Sequence, residues 1–301
     1  MEKDILEYVG RSLYHMDILK EKKRYLVFRF RCTVHKQIVE GLLDFFNASD
    51  ARRAILKGTP SFVEQVTRSF FYKDSTWKER VGLVEQHLLI MEELFSPELL
   101  AELYASGNKI QLWQDSYLDK PLTLNLFFNP GQRKEGCLSL VLEYEGEELY
   151  QIMFWFGKVM SGEGNAIYIG ALQGHPNASK LIKGLTKAYF GYRTKNLIFY
   201  GLRCLARALG MKEIYAVTNE GYYAMNHMRM DRKLKTDFAT FWQECEGKPS
   251  ADKRFYVMPV AEYRKSMEEL KPSKRAQHRR RFAKMDEMKT AVAKAVGKYR
   301  K

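Results

Sequence analysis

Cysteine is scarce in this sequence and forms no recognisable motif. The four cysteines among 301 residues stand far apart, at positions 32, 137, 204 and 245. This spacing contains no CxxC pair, which argues against a disulfide framework and against a structural zinc site. We therefore expect a reducing environment and no bound metal.

Long apolar segments are also missing. Residues 1–17 mix acidic and basic side chains into their apolar positions, so they lack the apolar core of a signal peptide. No later stretch reaches the roughly 18 apolar residues that a membrane-spanning helix needs. We expect a cytoplasmic protein whose contact with the inner membrane is at most peripheral.

Several common catalytic signatures are absent as well. The sequence has no GxGxxG loop, no HExxH motif, no Ser-His-Asp order and no paired-carboxylate spacing, so hydrolase classes receive little support. His35 and His87 lie in segments of helical periodicity without a neighbouring metal ligand or nucleophile. A packing or surface role is expected for both histidines.

Positive charge is abundant but unevenly placed. The formal net charge is +14, and residues 271–301 contain twelve Lys and Arg against Asp286 and Glu287. About ten of the fourteen excess charges therefore lie in the last tenth of the chain. The body is nearly neutral, so nucleic acid is an unlikely partner except for a tRNA that carries a donor group.

Hydrophobic periodicity predicts an α+β fold. Residues 1–106 are predicted to be helical, with clear amphipathic segments at 36–46 and 77–94, a cap at Ser49-Asp50 and a short helix starting at Ser96-Pro97. The period then becomes alternating, which predicts strands at 109–114, 122–128, 138–144, 148–156 and finally 255–258. The prediction is a helical amino-terminal region followed by a mixed sheet with flanking helices.

The centre of this organisation is the stretch 166–219. Residues 166–172 are predicted to form a buried strand, residues 194–209 a helix, and residues 213–217 a second strand that follows a turn at Gly210. Such a helical crossover normally joins two parallel strands. Ligands of open α/β sheets bind beyond the carboxyl ends of the strands, here around residues 172–175 and 218–220.

The order of a meander followed by strand, helix and strand resembles the acyltransferase fold of the GCN5-related N-acetyltransferase superfamily. In that superfamily the helix after the central strand holds the pyrophosphate of coenzyme A. A tyrosine after the next strand often protonates the leaving thiolate. In this chain LQGHPNASKLIKG and a helix separate the strand from the basic turn, whereas the superfamily places a glycine-rich turn directly after the strand.

Short sequence words carry a second resemblance, to the VirK/YbjX family, also called DUF535. They cover about the last two thirds of the chain and are, in order, LQG at 172–174, IKGLTK at 182–187, GYRTKN at 191–196, VTN at 217–219, DFATFWQE at 237–244 and PSKRAQHRRRF at 272–282. The resemblance implies a bacterial protein linked to virulence, the cell envelope and tolerance of antimicrobial peptides, with membrane association in some members and no settled reaction. The family pattern has histidine where this chain has Phe190 and Tyr222.

The turn GYRTKN is a candidate anion site. Thr194 is placed to cap the following helix, whose first turn presents backbone N–H groups and the positive end of the helix dipole. Arg193, Lys195 and Asn196 surround the same turn. The functional interpretation is a site for the phosphate or pyrophosphate of a donor. The alternative is a solvated basic turn.

Polar residues follow both strands of the crossover. Gln173, Gly174 and Asn219 are predicted to line a crevice there. The predicted catalytic residues are His175, Glu220, Tyr222 and Tyr223. His175 or Glu220 would act as general base, and one of the tyrosines would protonate a leaving thiolate. The alternative is that these side chains serve as turn formers and packing groups.

Three further features have both a structural and a functional interpretation. The aromatic residues Phe238, Phe241 and Trp242, on a helix predicted from Thr236, are expected in the core. A basic patch just before them is either solvated or binds an anionic substrate; it consists of Arg229, Arg232, Lys233 and Lys235. The tail repeats apolar residues every three or four positions among basic ones, which suits an anionic bilayer, docking onto the body, RNA or a frayed end.

These observations predict three parts: a helical region at 1–106, an acyltransferase-like domain at 107–282 and a basic amphipathic tail at 283–301. The expected function is transfer of an acyl or aminoacyl group to a component of the bacterial cell envelope. The donor would be acyl-coenzyme A, acyl carrier protein or aminoacyl-tRNA, and no cofactor would be bound permanently. The alternative is a non-catalytic, membrane-associated envelope or virulence factor that binds lipid or a client protein.

Overall fold

The computed structural model describes residues 2–175, 178–226 and 237–301. It is an α+β structure, as the periodicity predicts. The amino-terminal part consists of seven helices, and residues 101–105 then form one π-helical turn. The helices are α1 (Glu2–Leu13), α2 (Leu19–Val34), α3 (Lys36–Asn47), α4 (Asp50–Gly58), α5 (Ser61–Thr67), α6 (Trp77–Leu94) and α7 (Pro97–Leu100).

Local capping explains where several of these helices begin. The side chain of Ser49 accepts a hydrogen bond from the backbone N–H of Arg52, so the predicted cap of α4 is confirmed. Thr76 and Glu79 form a reciprocal capping box at the start of α6. Pro97 occupies the first turn of α7, as predicted.

A single mixed sheet follows, with strand order β1-β2-β3-β4-β5-β6-β8-β7. The β5–β6 pair is parallel and the other pairs are antiparallel. The short strand β7 has no counterpart in the sequence prediction. The strands are β1 (Ile110–Tyr117), β2 (Lys120–Phe127), β3 (Leu138–Tyr144), β4 (Glu147–Lys158), β5 (Asn165–Gly174), β6 (Glu213–Val217), β7 (Lys248–Pro249) and β8 (Phe255–Met258).

The connection from β5 to β6 contains two helices, α8 (Ser179–Ala188) and α9 (Thr194–Ala208). Helix α9 packs on β3, β4 and β5. A side chain at Gly201 of α9 would collide with Leu124, which shows how closely this helix approaches the sheet. Register places Leu124, Leu142 and Tyr150 on one face, so Gln151 lies on the face away from α9.

The predicted aromatic cluster is buried in the core, on helix α10 (Phe238–Glu244). Asp237 caps this helix, and Thr236 lies outside the described residues. The indole N–H of Trp242 donates to the carbonyl oxygen of Val217 at 2.9 Å. The helix is thereby attached to the end of β6.

The tail is a docked helix, α11 (Pro272–Gly297), which begins before residue 283 and continues through it. Its apolar stripe packs against α9 and β1, and Met288 and Val292 are fully buried. Lys284 also binds the Asp115 carboxylate, with 2.9 Å between Nζ and Oδ2. Of the alternatives predicted for the tail, the structure shows docking onto the body. Truncation after Asp286 would therefore remove part of the core.

Within the described ranges, no helix combines the length and the apolar character needed to cross a bilayer.

Candidate functional site

The carboxyl ends of β5 and β6 meet at one edge of the sheet. Their parallel ladder has four pairs, from Ala166–Glu213 to Ile169–Ala216. Strand β5 then continues alone beside β4 as far as Gly174, which pairs with Tyr150. Burial raises the pKa of the Tyr150 phenol, and the charge of Arg193 at the start of α9 partly offsets this shift. The edge therefore has the geometry in which α/β sheets bind ligands.

A loop between β2 and β3 delivers a carboxylate to this edge. Near the end of this loop, Glu135 and Gly136 lie directly on β4 and β5. A Cβ atom at Gly170 of β5 would come within 1.9 Å of the Glu135 carbonyl oxygen, and one at Gly136 would meet the Phe154 backbone at 2.6 Å. Both contacts require glycine. These glycines allow Glu135 to contact the sheet at the point where β5 extends beyond β6.

The Glu135 carboxylate is buried, with 2% of the residue exposed. The Gln173 amide nitrogen donates to both carboxylate oxygens, at 2.9 and 2.7 Å. The hydroxyl of Tyr222 donates to one of the same oxygens. Burial dominates over these donors and raises the pKa of Glu135 to about 7. We call these three residues the Glu135 cluster.

An open cleft of about 180 Å³ adjoins the Glu135 cluster at the Gln173 side chain. The buried Gln151 amide nitrogen finds no acceptor among the described residues, whereas its oxygen accepts from Asn129 at 3.2 Å. A buried donor without a partner is costly, so this one is available to a ligand. We call this the Gln173 cleft; its lining consists of Gln132, Glu148, Tyr150, Gln151, Gln173, Gly174 and His175.

A buried ionic network holds the loop that carries Glu135. Glu64 of α5 is fully buried and accepts hydrogen bonds from Arg133 at 2.6 Å and from Tyr14 at 2.7 Å. Burial opposes ionisation of this carboxyl, but the Arg133 guanidinium brings the pKa of Glu64 below its usual value. Gln65 also donates to the carbonyl oxygens of Arg133 and Gly136. The helical region therefore positions the loop.

The structure brings together some of the residues predicted after the two strands, since Gln173 and Tyr222 both bind the Glu135 carboxylate. Gln173, Gly174 and the exposed His175 share the Gln173 cleft. Tyr222 belongs to the Glu135 cluster, and the Tyr223 ring is 4.9 Å from that of Tyr222. Burial raises the pKa of Tyr223 to about 12.

Two other predicted strand-end residues lie away from the cleft. Asn219 has a structural role, because its oxygen accepts from the backbone N–H groups of Phe238 and Ala239 at the start of α10. Its side-chain nitrogen donates to Asp237. Glu220 is exposed in the turn that follows β6.

The predicted phosphate-binding residues surround the first turn of α9. The Arg193 guanidinium donates to Glu244 at 2.5 Å and to Asn196 at 2.9 Å. Lys195 lies over the Phe241 ring at 3.9 Å, where burial lowers its pKa. Thus the cations of this turn already have partners within the protein.

Thr194 was predicted to cap α9, and that prediction is wrong. Arg193 occupies the cap position without a capping side-chain hydrogen bond, and Thr194 is the first helical residue. The Thr194 residue is 1% exposed and its hydroxyl faces the carbonyl oxygen of Ile182 at 3.5 Å. The hydroxyl faces the preceding helix α8 because α8 packs on α9 here.

The two departures from the family pattern fall in different places. Phe190 adopts a left-handed conformation with φ of 53°, and its carbonyl oxygen accepts hydrogen bonds from Gln277 and Arg281 of α11. Position 190 therefore anchors α11 to the turn before α9. Tyr222 instead contacts Glu135, so a histidine at position 222 would stand beside a buried carboxylate.

Glu135 and Gln151 were missed by the sequence analysis. Glu135 lies in the charged stretch RKEG, which is typical of a solvated loop, and Gln151 is one polar residue in an apolar strand. The proximity of Glu135 to Gly170 depends on contacts distant in sequence, so no local signal marks it. The basic patch at Arg229, Arg232, Lys233 and Lys235 lies outside the described residues.

Comparison with known proteins places the chain in a family. The family model described as "Protein of unknown function (DUF535)" matches residues 17–294, so the chain belongs to this family. The VirK/YbjX resemblance of the sequence words is thereby confirmed.

The curated relatives are bacterial proteins. The chain is 26% identical to the "Uncharacterized protein YbjX" of Escherichia coli (strain K12) over 79% of this chain and 73% of that protein. It is 24% identical to an "Uncharacterized protein" of Haemophilus influenzae over 90% of this chain and 88% of that protein. No solved structure matches the chain.

Proposed function

We propose that this protein transfers an acyl or aminoacyl group from a carrier to a nucleophilic group of a cell-envelope component or its precursor. The observation that carries the proposal is the Glu135 cluster at the edge where β5 leaves β6. A buried carboxyl with a pKa near 7 is suited to proton transfer at neutral pH. The adjoining cleft provides room for a substrate beside it.

The topology supports the choice of an acyltransferase. An antiparallel meander leads into one parallel crossover pair, and the last strands return antiparallel beside β6. This order resembles the GCN5-related acyltransferase fold. Because fold alone does not determine function, the proposal depends on the residues at the edge.

In the proposed chemistry the proton moves to Glu135 and returns from it along the same path. The amine or hydroxyl of the acceptor attacks the carbonyl carbon of the donor thioester. Its proton passes through the Tyr222 hydroxyl to the Glu135 carboxylate. When the intermediate collapses, the carbon–sulfur bond breaks and Glu135 returns the proton to the thiolate, again through Tyr222. With an aminoacyl-tRNA donor, the leaving group is the ribose oxygen.

Donor binding is assigned to the first turn of α9. The helix dipole and the Arg193 and Lys195 side chains favour a phosphate there. A donor phosphate would compete with Glu244 for the Arg193 guanidinium, since these two side chains form an exposed ion pair. Exposed pairs of this kind contribute little to stability, so an arriving dianion can replace the carboxylate.

Thermal unfolding in the presence of donors tests this assignment. We expect coenzyme A, acyl-coenzyme A, acyl carrier protein or aminoacyl-tRNA to stabilise the protein, by about 2.7 kcal/mol at 100 times the dissociation constant. The double substitution Arg193→Ala and Lys195→Ala should abolish the effect. The control is Arg207→Ala, an exposed cation at the other end of α9.

A donor that stabilises the double variant and the native protein equally would contradict the assignment. The second candidate function is a non-catalytic factor that binds lipid or a client protein. One observation favours it, the exposed apolar face of α2. Absence of stabilisation by every donor would favour it further.

A further inference from the structure

Helix α2 carries an apolar stripe on its outward face. The side chains of this stripe are 47–69% exposed, and at 100° per residue they occupy an arc of about 100°. The opposite face carries Phe28 and Cys32, which are buried against the body. We call the outward face the α2 stripe; it consists of Leu19, Leu26, Val27, Phe30 and Val34.

Basic residues flank the α2 stripe. The sequence of α2 contains six basic residues and one acidic residue, a net charge of +5. Lys20, Lys22 and Lys23 are exposed, and Lys23 falls within the arc of the stripe. An apolar strip bordered by cations is the pattern of a helix that lies in the interface of an anionic bilayer.

A basic cleft adjoins the same helix. It has a volume of about 260 Å³ and lies between α2 and the end of α5. Arg68 pairs with Glu64 at 3.3 Å, and Arg24 pairs with Glu21 at 2.5 Å. Two of the five cations of the cleft therefore pair with carboxylates. Besides burial, the nearby charge of Arg68 lowers the pKa of Arg31. The five cations of this α2 cleft are Lys20, Lys23, Arg24, Arg31 and Arg68.

We propose that α2 binds the surface of an anionic membrane. The α2 stripe enters the boundary between headgroups and acyl chains, and the α2 cleft receives the phosphate of a lipid headgroup. Each exposed lysine near the surface adds electrostatic attraction. This inference does not depend on the proposed transferase activity.

Two other occupants of the α2 stripe fit the observations less well. A second copy of the chain would bring two helices of net charge +5 face to face, which is electrostatically unfavourable. The apolar residues of α11 cannot cover the stripe, because Met288 and Val292 are already buried against the body. An anionic bilayer complements both the apolar and the cationic character.

Co-sedimentation with vesicles tests the proposal. Intact protein is mixed with vesicles of phosphatidylcholine alone or with 30% phosphatidylglycerol, and the apparent dissociation constants are compared. We expect binding to the anionic vesicles that the double substitution Leu26→Glu and Phe30→Glu weakens at least tenfold. The matched control is Leu89→Glu, a 48% exposed leucine on α6, which should change binding less than twofold.

The charge contribution has its own matched pair. The double substitution Lys20→Gln and Lys23→Gln should weaken anionic binding by roughly fivefold per charge. Lys289→Gln with Lys294→Gln removes two exposed charges from α11 and should have little effect. Competition with inorganic phosphate distinguishes a free-phosphate site from a headgroup site, because only a free-phosphate site would be blocked at millimolar concentration.

The proposal would be overturned by absence of binding to anionic vesicles, by an equal loss of binding from the α11 pair, or by full competition by phosphate. A dimer in sedimentation equilibrium that Phe30→Glu dissociates would also overturn it, because the α2 stripe would then be covered by a second copy. Circular dichroism of each variant establishes that it is folded.

Discussion

The substitution Glu135→Gln is expected to stabilise the protein at pH 8 and to change its stability little at pH 5. The folded state holds the Glu135 proton up to a pKa of about 7, whereas an unfolded chain releases it near 4.5. Between these values the folded state binds more protons, so stability falls as pH rises. A rise in the pKa of Glu135 from 4.5 to about 7 corresponds to about 3 kcal/mol of folding free energy. Glutamine has no proton to lose and retains an acceptor for Tyr222.

Urea unfolding at pH 5 and pH 8 measures this effect. The control is Glu148→Gln, which removes a half-buried carboxylate from the same Gln173 cleft. We expect Glu135→Gln to gain more stability at pH 8 than at pH 5, and Glu148→Gln to show no such difference. Equal stability changes at both pH values would mean that Glu135 titrates in the folded protein as it does in solvent. A gain of stability on removing an ionisable group is the behaviour expected of a functional residue.

Acidification should destabilise the protein through His87. This residue is fully buried, and burial lowers the pKa of His87 to about 3, against 6.5 for the free side chain. The unfolded state therefore binds more protons between pH 6.5 and 3, and stability is lost as the pH falls through this range. The full loss is on the order of 5 kcal/mol.

The hydrogen bonds of His87 indicate which ring nitrogen carries the hydrogen in the neutral side chain. Nδ1 accepts from the backbone N–H of Phe156 at 3.1 Å, so Nε2 carries the hydrogen and faces the Tyr104 hydroxyl at 2.7 Å. That hydroxyl donates in turn to the carbonyl oxygen of Cys137. Protonation of Nδ1 would break the first contact and leave a buried charge. The packing role predicted for His87 agrees with this position.

The variant His87→Gln tests the assignment. Its amide oxygen can replace Nδ1 as an acceptor, but glutamine does not titrate. We expect the variant to be less stable than the native protein at pH 7. Its free energy of unfolding should depend much less on pH between 6.5 and 4 than that of the native protein. His175→Gln, at an exposed position, should leave the native profile unchanged. An unchanged slope in His87→Gln would assign acid sensitivity to other groups.

Periodic elements were predictable because their signal is local. Strands at 138–144, 213–217 and 255–258 were found at their observed bounds, since alternation and turn residues define them within a few positions. The apolar stripe of α11 was also visible in sequence. Its partner was not, because a stripe shows that one face is buried without showing against what.

The candidate site was only half predictable, for physical reasons. Gln173 and Tyr222 were found because polar residues after parallel strands meet at one edge. Glu135 was not, because its burial depends on glycines at 136 and 170 that let a distant loop touch the sheet. The α2 stripe escaped notice for another reason. A helix that is apolar on both its buried and its outward face shows little net amphipathicity.

Thiol release from acyl donors tests the central claim, that Glu135 is the proton acceptor of a group transfer. The rate would be followed spectrophotometrically from pH 5.5 to 8.5, with acyl-coenzyme A or acyl carrier protein as donor and a small primary amine or water as acceptor. The account predicts a rate that rises with an apparent pKa near 7 and falls at least about 100-fold in Glu135→Gln. The rate should not fall in Glu220→Gln, because that carboxylate is exposed and lies away from the cleft. Folded Glu135→Gln protein with the native rate and pH profile would contradict it, as would folded native protein that releases no thiol from either thioester donor and transfers no aminoacyl group from aminoacyl-tRNA.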